Sequence, residues 1–130
     1  MKYIMLVYMN QEAFSALPKE EQTRIHQECG TWHDELVATG RSTGAIGLHP
    51  PATATSLRQQ NGRIVVSDGP FAETKEVLGG LERLECKDLD EALAIAKRFP
   101  TLRAGCTVEI RPEVSGPGEC EAWDAARPNG

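Results

Sequence analysis

The sequence predicts a single α+β domain built on a ferredoxin-like sheet. Residues 2–9 are rich in β-branched, aromatic and long apolar side chains, which is typical of a strand. A helical pattern follows, then several short strand patterns, and a second helical pattern leads into a last strand. This order is that of a split β-α-β sheet with two helices on one face. The chain of 130 residues falls in the size range of one domain.

The first predicted helix begins near Pro18, because proline suits the first helical position. Leu17 precedes it and has no capping oxygen, so this end is weakly specified. Gly40 ends the helix in the usual C-terminal glycine position. One buried stripe recurs at spacings of four, three and four residues: Ile25, Cys29, Trp32 and Leu36.

A turn separates two of the predicted strands in the middle of the chain. Residues 42–49 and 53–58 are interpreted as short strands or extended segments. Asn61-Gly62 is a strong turn signal before the strand Arg63–Ser67. The chain therefore contains a predicted hairpin between its two helices.

A longer strand and the second helix follow. Val77–Cys86 is predicted as a strand, and its Gly79-Gly80 pair indicates a bulge or a close backbone approach. Asp88 caps the second helix, Glu91 completes a capping box, and Pro100 stops the helix. Its predicted inner face comprises Leu89, Ala92, Leu93, Ala96 and Phe99. A last strand is predicted at Cys106–Arg111.

The folded domain is predicted over residues 1–113. Residues 114–130 are rich in proline and glycine and lack apolar periodicity, so a loosely ordered tail is expected. Two helices on one face leave the other face of the sheet uncovered, and an apolar face needs burying. A second copy of the same sheet is the simplest cover, so we expect a homodimer, a dimeric α+β barrel.

Composition excludes several classes of protein. Fourteen basic against 19 acidic residues give a net charge of −5, which argues against nucleic acid. No apolar run approaches the ~18 to 20 residues of a membrane span, and the N-terminus lacks the features of a signal peptide. The cysteines lack C-x-x-C or zinc-ligand spacing, and scattered thiols favour a reducing compartment. We expect a cytoplasmic protein with no metal, cofactor, nucleic acid or membrane.

The segment Asp68–Gly80 is the most distinctive part of the chain. It reads Asp-Gly-Pro-Phe-Ala-Glu-Thr-Lys-Glu-Val-Leu-Gly-Gly. Its glycine and proline fix an unusual backbone path, and Phe71 adds apolar area. Glu73, Thr74 and Lys75 add polar groups. An apolar concavity with a few fixed polar groups is what a small-ligand site requires.

Residues Asp68–Glu76 resemble the signature of the YCII-related proteins of the DGPF type. The resemblance covers about residues 1–113 and extends to Met1-Lys2-Tyr3, Gly47–Thr55, Leu78-Gly79-Gly80 and Val108–Pro112. It implies a dimeric α+β barrel without a settled activity. Many such relatives are encoded beside extracytoplasmic-function sigma factors, which points to a regulatory role.

The resemblance also bears on catalysis. Related YCII proteins include a dechlorinating lyase that acts on an aromatic substrate, with a His–Asp pair as the proposed chemistry. The helix histidine of that branch lies eleven residues before the glycine that ends the helix, and this position is Cys29 here. His26 and His33 are its neighbours. This departure argues against inherited acid–base catalysis.

Asp68 and His33 are the candidate catalytic residues. Asp68 is a general acid or base tuned by burial, or else an Asx-turn residue that accepts backbone N–H groups. Cys29 and His33 lie at i, i+4 and permit a thiolate–imidazole pair, unless Cys29 is a small buried apolar residue.

Six residues are candidates for ligand binding: Trp32, His49, Phe71, Glu73, Thr74 and Lys75. Each has a plainer interpretation. Trp32 lies on the core stripe of the first helix, and His49 is a polar residue in a proline-rich loop. Glu73 and Lys75 also fit a solvated loop, where an ion pair contributes ~0 to 1 kcal/mol.

Two functions follow. The first is a small-molecule enzyme of lyase or isomerase type that uses Asp68 for acid–base chemistry. The second is a non-catalytic module that senses a metabolite or engages a partner, linked to sigma-factor regulation. The third hypothesis is a purely structural interaction protein. A dimer with no cavity next to Asp68 would support it.

Overall fold

The computed structural model describes residues 1–116 and residue 123. Most of the predicted tail, with Cys120, lies outside these residues. Among the described residues, no helix is both long enough and apolar enough to cross a bilayer.

The described chain is α+β. In chain order its elements are β1 (Lys2–Met9), α1 (Gln11–Ser15), α2 (Lys19–Ala38), β2 (Ser42–Gly47), β3 (Thr55–Gln60), β4 (Arg63–Asp68), β5 (Val77–Glu85), α3 (Leu89–Lys97) and β6 (Thr107–Pro112). Short 3₁₀ helices occur at Pro51–Thr53 and Pro100–Ala104. The main sheet has the antiparallel order β2-β5-β1-β6, which is the predicted ferredoxin-like arrangement.

The two longer helices cover one face of this sheet. Residues alternate across β1, so every second side chain faces α2 and α3. The shared core contains Tyr3, Met5 and Val7 of β1, Trp32 and Leu36 of α2, and Ala92, Ile95 and Ala96 of α3. Fully burying a large apolar side chain contributes about 1.5–3 kcal/mol, so this face holds the helices on the sheet.

The opposite face of the sheet is not covered by any described helix or strand. Ile4 and Leu6 of β1 lie on this face and are half-buried, and Leu81 of β5 pairs with Leu6. Ile46 of β2 pairs with Leu81 and is exposed. The predicted uncovered apolar face is therefore present.

A separate hairpin projects between β2 and β5. Strands β3 and β4 pair only with each other, through the predicted Asn61-Gly62 turn. Both turn residues have positive φ, 52° and 76°, as a type I′ turn requires. Leu57 and Val66 pair across one face of the hairpin and are 67% and 62% exposed.

The glycine pair in β5 accounts for both predicted features, a bulge in the strand and a close approach of two backbones. The pairing with β1 shifts between Val7 and Tyr8, which leaves Gly79 as the extra residue of a bulge. A Cβ built on Gly80 would lie 2.7 Å from the carbonyl oxygen of Ile46 on β2. The backbones of β5 and β2 therefore approach each other too closely for a side chain at Gly80.

The structure corrects two details of the helices. The chain after β1 forms α1, which no apolar pattern predicted, and Asn10 caps it by accepting from the backbone N–H of Ala13 at 3.0 Å. On α3 the buried residues include Ile95, whereas Leu89 and Leu93 are exposed. The predicted face of α3 was therefore rotated, because α3 is short and apolar on both sides of its alanines.

Candidate functional site

A cleft runs between α2 and the sheet. Its volume is about 700 Å³, which suits a small organic molecule. Met5, Val7 and Met9 of β1 line its floor, and the rings of Phe14, Trp32 and Phe99 line its walls. Most of the surface of the cleft is therefore apolar.

Glu82 supplies a carboxylate at the inner end of the cleft. It lies on β5 opposite Met5 of β1 and Ala45 of β2, and it faces the helices because it alternates with the buried Leu84. The residue is only 5% exposed. A buried carboxylate requires donors, since an unpaired buried charge is costly.

Two donors hold one oxygen of this carboxylate. Nδ1 of His33 on α2 lies 2.7 Å from Oε1 of Glu82. Ser42 Oγ contacts the same oxygen. Because Ser42 Oγ also accepts from the backbone N–H of Gly44 at 3.2 Å, its own hydrogen is free to be donated to Glu82. The carboxylate is thus fixed from both a helix and an edge strand.

The second oxygen of Glu82 differs from the first. Within the described part of the chain, Oε2 accepts no hydrogen bond, although Glu82 lines the cleft. Oε2 is not among the fully buried side-chain atoms that lack a partner in the described chain, so it opens into the cleft. The inner end of the cleft therefore offers a fixed acceptor with unused capacity.

The outer end of the cleft carries the opposite charge. Thr74 and Lys75, which precede β5, and His49, which follows β2, line this end. Among the lining residues of the cleft, Lys75 and Glu82 are the two with formal charges at neutral pH. Lys75 makes no ion pair with the described residues.

Cysteine and threonine side chains meet on another wall of the cleft. Cys29 Sγ lies 3.1 Å from Oγ1 of the buried Thr101. The thiolate–imidazole pair of Cys29 with His33 is therefore not formed, because each of these side chains has another partner. Burial raises the pKa of Cys106 to about 11, with smaller contributions from Cys29 and Glu76, so its thiol is neutral at physiological pH.

Five of the predicted site residues lie in or beside the cleft. Trp32, His49, Thr74 and Lys75 line it. His33 does not line it but holds Glu82, which does. Trp32 also belongs to the core, as its plainer interpretation requires, whereas its part in ligand binding stays a prediction.

Three predicted site residues lie elsewhere. Asp68 ends β4 and is exposed, and its carboxylate accepts no hydrogen bond from the described residues, so the Asx-turn interpretation is not realised. Phe71 is 81% exposed and lies beside a shallow groove on the hairpin. Glu73 is exposed and does not line the cleft. The structure therefore divides the distinctive segment between the cleft and the hairpin.

Sequence reasoning missed Glu82 and Ser42. One signal pointed to Glu82, because it has the same strand parity as Leu84 and is therefore an acidic residue at an inward position. Ser42 carried no comparable signal. Its role depends on the pairing of β2 with β5, which brings together residues far apart in sequence.

The chain is similar to known proteins over most of its length. A family model described as the YCII-related domain matches residues 1–113. An uncharacterized protein of Rhizobium meliloti (strain 1021) is 36% identical over 121 residues, which cover 92% of this chain and 98% of that protein. A solved structure, the 5-chloro-2-hydroxyhydroquinone dehydrochlorinase from Burkholderia phenoliruptrix AC1100 in complex with 2,5-dihydroxybenzoquinone, has a TM-score of 0.49 and 15% identity, covering 89% of this chain and 96% of that one. With the family model matched over residues 1–113, the chain belongs to the YCII-related domain family.

Proposed function

We propose that the chain binds a mainly apolar small molecule in the cleft and that Glu82 exchanges a proton with it, as in a lyase or isomerase. The observation that carries the proposal is the Glu82 carboxylate, with one oxygen held by His33 and Ser42 and the other open to the cleft without a partner among the described residues. A general base must lie within hydrogen-bond reach of the proton that it removes. A fixed carboxylate on the wall of a cleft meets this requirement for a bound ligand.

The proposed chemistry is a proton transfer at Oε2 of Glu82. The bond between a ligand atom and its hydrogen breaks, an O–H bond forms on Oε2, and the electron pair stays on the ligand. Return of the proton to another ligand atom completes an isomerisation, whereas expulsion of a leaving group completes an elimination. His33 and Ser42 position the carboxylate through Oε1 and do not touch the ligand in this scheme.

This proposal gives Asp68 no part in the proton transfer. Asp68 is exposed on the hairpin and does not line the cleft. The acid–base role that the sequence left open for Asp68 assumed a buried carboxylate, and this one is exposed. Asp68 therefore serves as the matched control for Glu82.

The second candidate function is a non-catalytic module that senses a metabolite. One observation favours it: among the described residues, Glu82 is the single carboxylate that lines the cleft. A reaction that pairs one carboxylate as the acid with another as the base therefore lacks its second carboxylate there. Binding without turnover needs only the cleft and its hydrogen bonds.

A thermal-shift screen against a metabolite panel tests both functions, with wild type, Glu82→Gln and Asp68→Asn in parallel. A ligand at one hundred times its Kd stabilises the native state by about 2.7 kcal/mol, which shifts Tm by several degrees. We expect hits that weaken in Glu82→Gln and persist in Asp68→Asn. A hit that weakens only in Asp68→Asn contradicts the cleft as the site.

Turnover of the hits separates the two functions. Incubation with wild-type protein, followed by mass spectrometry and NMR, detects an isomerised or eliminated product. If the chain is an enzyme, Glu82→Gln lowers the rate by about 10²- to 10⁴-fold, which is the usual contribution of a general base. Binding of a hit without any product supports the sensing module.

A further inference from the structure

The two charged residues of the cleft lie at its opposite ends. Lys75 precedes β5 by two residues, and Glu82 is the sixth residue of β5. The strand rises ~3.4 Å per residue, so about 17 Å separates its start at Val77 from Glu82. The wall between them is apolar and includes Val7, Met9 and Leu78. The cleft therefore has a negative inner end, an apolar middle and a positive mouth.

The inner end requires a hydrogen-bond donor. Oε1 of Glu82 already accepts from His33 and Ser42, whereas Oε2 has no donor within the described residues. The residue as a whole is 5% exposed, but Oε2 is not among its fully buried unpaired atoms, so this oxygen is open to the cleft, and a ligand that fills the inner end replaces water there. A ligand that places an O–H or N–H group there satisfies the carboxylate, whereas a ligand with an apolar end leaves it unpaired and is penalised.

The mouth favours a negative group. Lys75 lines it without an ion-pair partner in the described chain, and no carboxylate lines the cleft beside it. His49 and Thr74 add hydrogen-bonding groups at the same end. Thr74 Oγ1 donates to the carbonyl of Glu76 at 2.6 Å, which fixes the backbone next to Lys75.

We propose that the ligand is an elongated, mainly apolar anion whose far end carries a hydrogen-bond donor. The donor lies against Oε2 of Glu82, the apolar body fills the middle of the cleft, and the negative group stays at the mouth beside Lys75. This inference rests on the proposed function, because it assumes that the cleft is the binding site. It adds the chemical class of the molecule that the cleft selects.

Three matched probes test the inference by isothermal titration calorimetry: 12-hydroxydodecanoate, dodecanoate and 1,12-dodecanediol. Dodecanoate lacks the donor, and the diol lacks the negative group. We expect wild type to bind 12-hydroxydodecanoate about 10- to 100-fold more tightly than dodecanoate, as for a hydrogen bond to a charged group. Loss of the negative group weakens binding about two- to fivefold, as for an exposed ion pair.

Two variants assign these preferences to residues. Glu82→Gln removes most of the preference for 12-hydroxydodecanoate over dodecanoate. Lys75→Gln removes the preference for 12-hydroxydodecanoate over the diol, whereas Lys87→Gln, an exposed lysine that does not line the cleft, keeps it. The wild-type comparison of the three probes stands on its own if Glu82→Gln fails to fold.

The outcomes separate this inference from the proposed function. Equal affinity for the three probes in wild type overturns the inference and keeps the cleft as an apolar binding site. If dodecanoate binds as tightly as 12-hydroxydodecanoate, the ligand needs no hydrogen-bond donor at Glu82. If the diol binds as tightly as 12-hydroxydodecanoate, the ligand needs no negative group at Lys75. Failure of all three probes to bind overturns the inference, whereas the proposed function fails only if the metabolite screen also yields no ligand for the cleft.

Discussion

At the scale of single residues, the Cys106 thiol links burial to pH. Desolvation raises its pKa from 9.0 to about 11 in the folded chain. Between these values the unfolded chain has lost the proton and the folded chain retains it, so the folded state is favoured less as pH rises. The contribution of the Cys106 thiol to the stability of the folded state is fully present below pH 9 and is lost as the pH approaches 11. We expect the free energy of unfolding, measured with urea, to fall over this interval.

A variant isolates this effect. In Cys106→Ala the decline of stability between pH 9 and 11 becomes shallower. It does not disappear, because burial also raises the pKa of Cys86, which the variant retains. A decline of the same slope in wild type and variant contradicts the assignment to Cys106.

Gly79 and Gly80 form a matched pair for testing the close approach of β5 to β2. The added Cβ of Gly80→Ala would meet the backbone oxygen of Ile46, which moves only if the strand moves. The added Cβ of Gly79→Ala would meet Cγ of Met9, which is flexible. We expect Gly80→Ala to cost about 1–3 kcal/mol of unfolding free energy and Gly79→Ala to cost less. Urea titrations followed by circular dichroism measure both, and equal costs argue against a backbone clash.

Residue roles were only partly predictable from the sequence. Lys75, Thr74, His49 and Trp32 were expected at a ligand site, and they line the cleft. The acid–base role expected of Asp68 is proposed for Glu82 instead, because Glu82 is buried in the main sheet. Asp68 is exposed on a hairpin that pairs with no strand of that sheet. The local sequence indicates that a turn follows Asp68, but it does not indicate which surface of the protein lies next to that turn.

At the scale of elements, the N-cap of α3 offers a direct test. Asp88 Oδ1 accepts from the backbone N–H of Glu91 at 2.9 Å. We expect Asp88→Ala to lower stability by about 0.5–2 kcal/mol, because an unpaired helix N–H replaces this bond. Asp90→Ala, in the same first turn but without the capping bond, is the control and loses only ~0.3–1 kcal/mol of helix-dipole interaction. Thermal unfolding of the two variants compares them, and equal losses contradict the cap.

Elements with local signals were predicted well. The Asp88 cap of α3, the hairpin turn and the glycine after α2 are each specified within a few residues, and each occurs where expected. The second half of the predicted capping box differs, because the Glu91 carboxylate accepts from the N–H of Lys87 rather than from that of Asp88. The inner face of α3 was not predicted correctly, because the side chains of Leu89, Leu93 and Ile95 are all strongly apolar and the sequence does not distinguish them. Only the tilt of the helix on the sheet decides which of them is buried.

At the scale of the whole molecule, two apolar surfaces lack a cover within the described chain. One is the outer face of the main sheet, and the other is the hairpin face that carries Leu57 and Val66. An isolated two-stranded hairpin is marginal in water, and exposed apolar patches mark interfaces. We propose that a second copy of the chain covers them, in a homodimer.

Sedimentation velocity tests this proposal. We expect wild type to sediment as a dimer. Leu6→Glu on the outer face, or Leu57→Ser with Val66→Ser on the hairpin, shifts the chain towards monomer, because each change places polar groups in the contact. Gln27→Glu, on the exposed side of α2, leaves the dimer intact. A wild-type monomer at micromolar concentration rules out the proposal.

The separation of the hairpin from the main sheet has a consequence for how this protein can be altered. Strands β2 and β5 are antiparallel neighbours, and the whole stretch 48–76 is an insertion between them that shares no strand pairing with the main sheet. It is therefore an exchangeable module, which can be shortened or replaced without re-registering the other four strands. Because His49 and Lys75 lie at its two ends, each exchange changes the entrance of the cleft while Glu82 stays in place. We therefore expect grafts in this stretch to alter ligand preference.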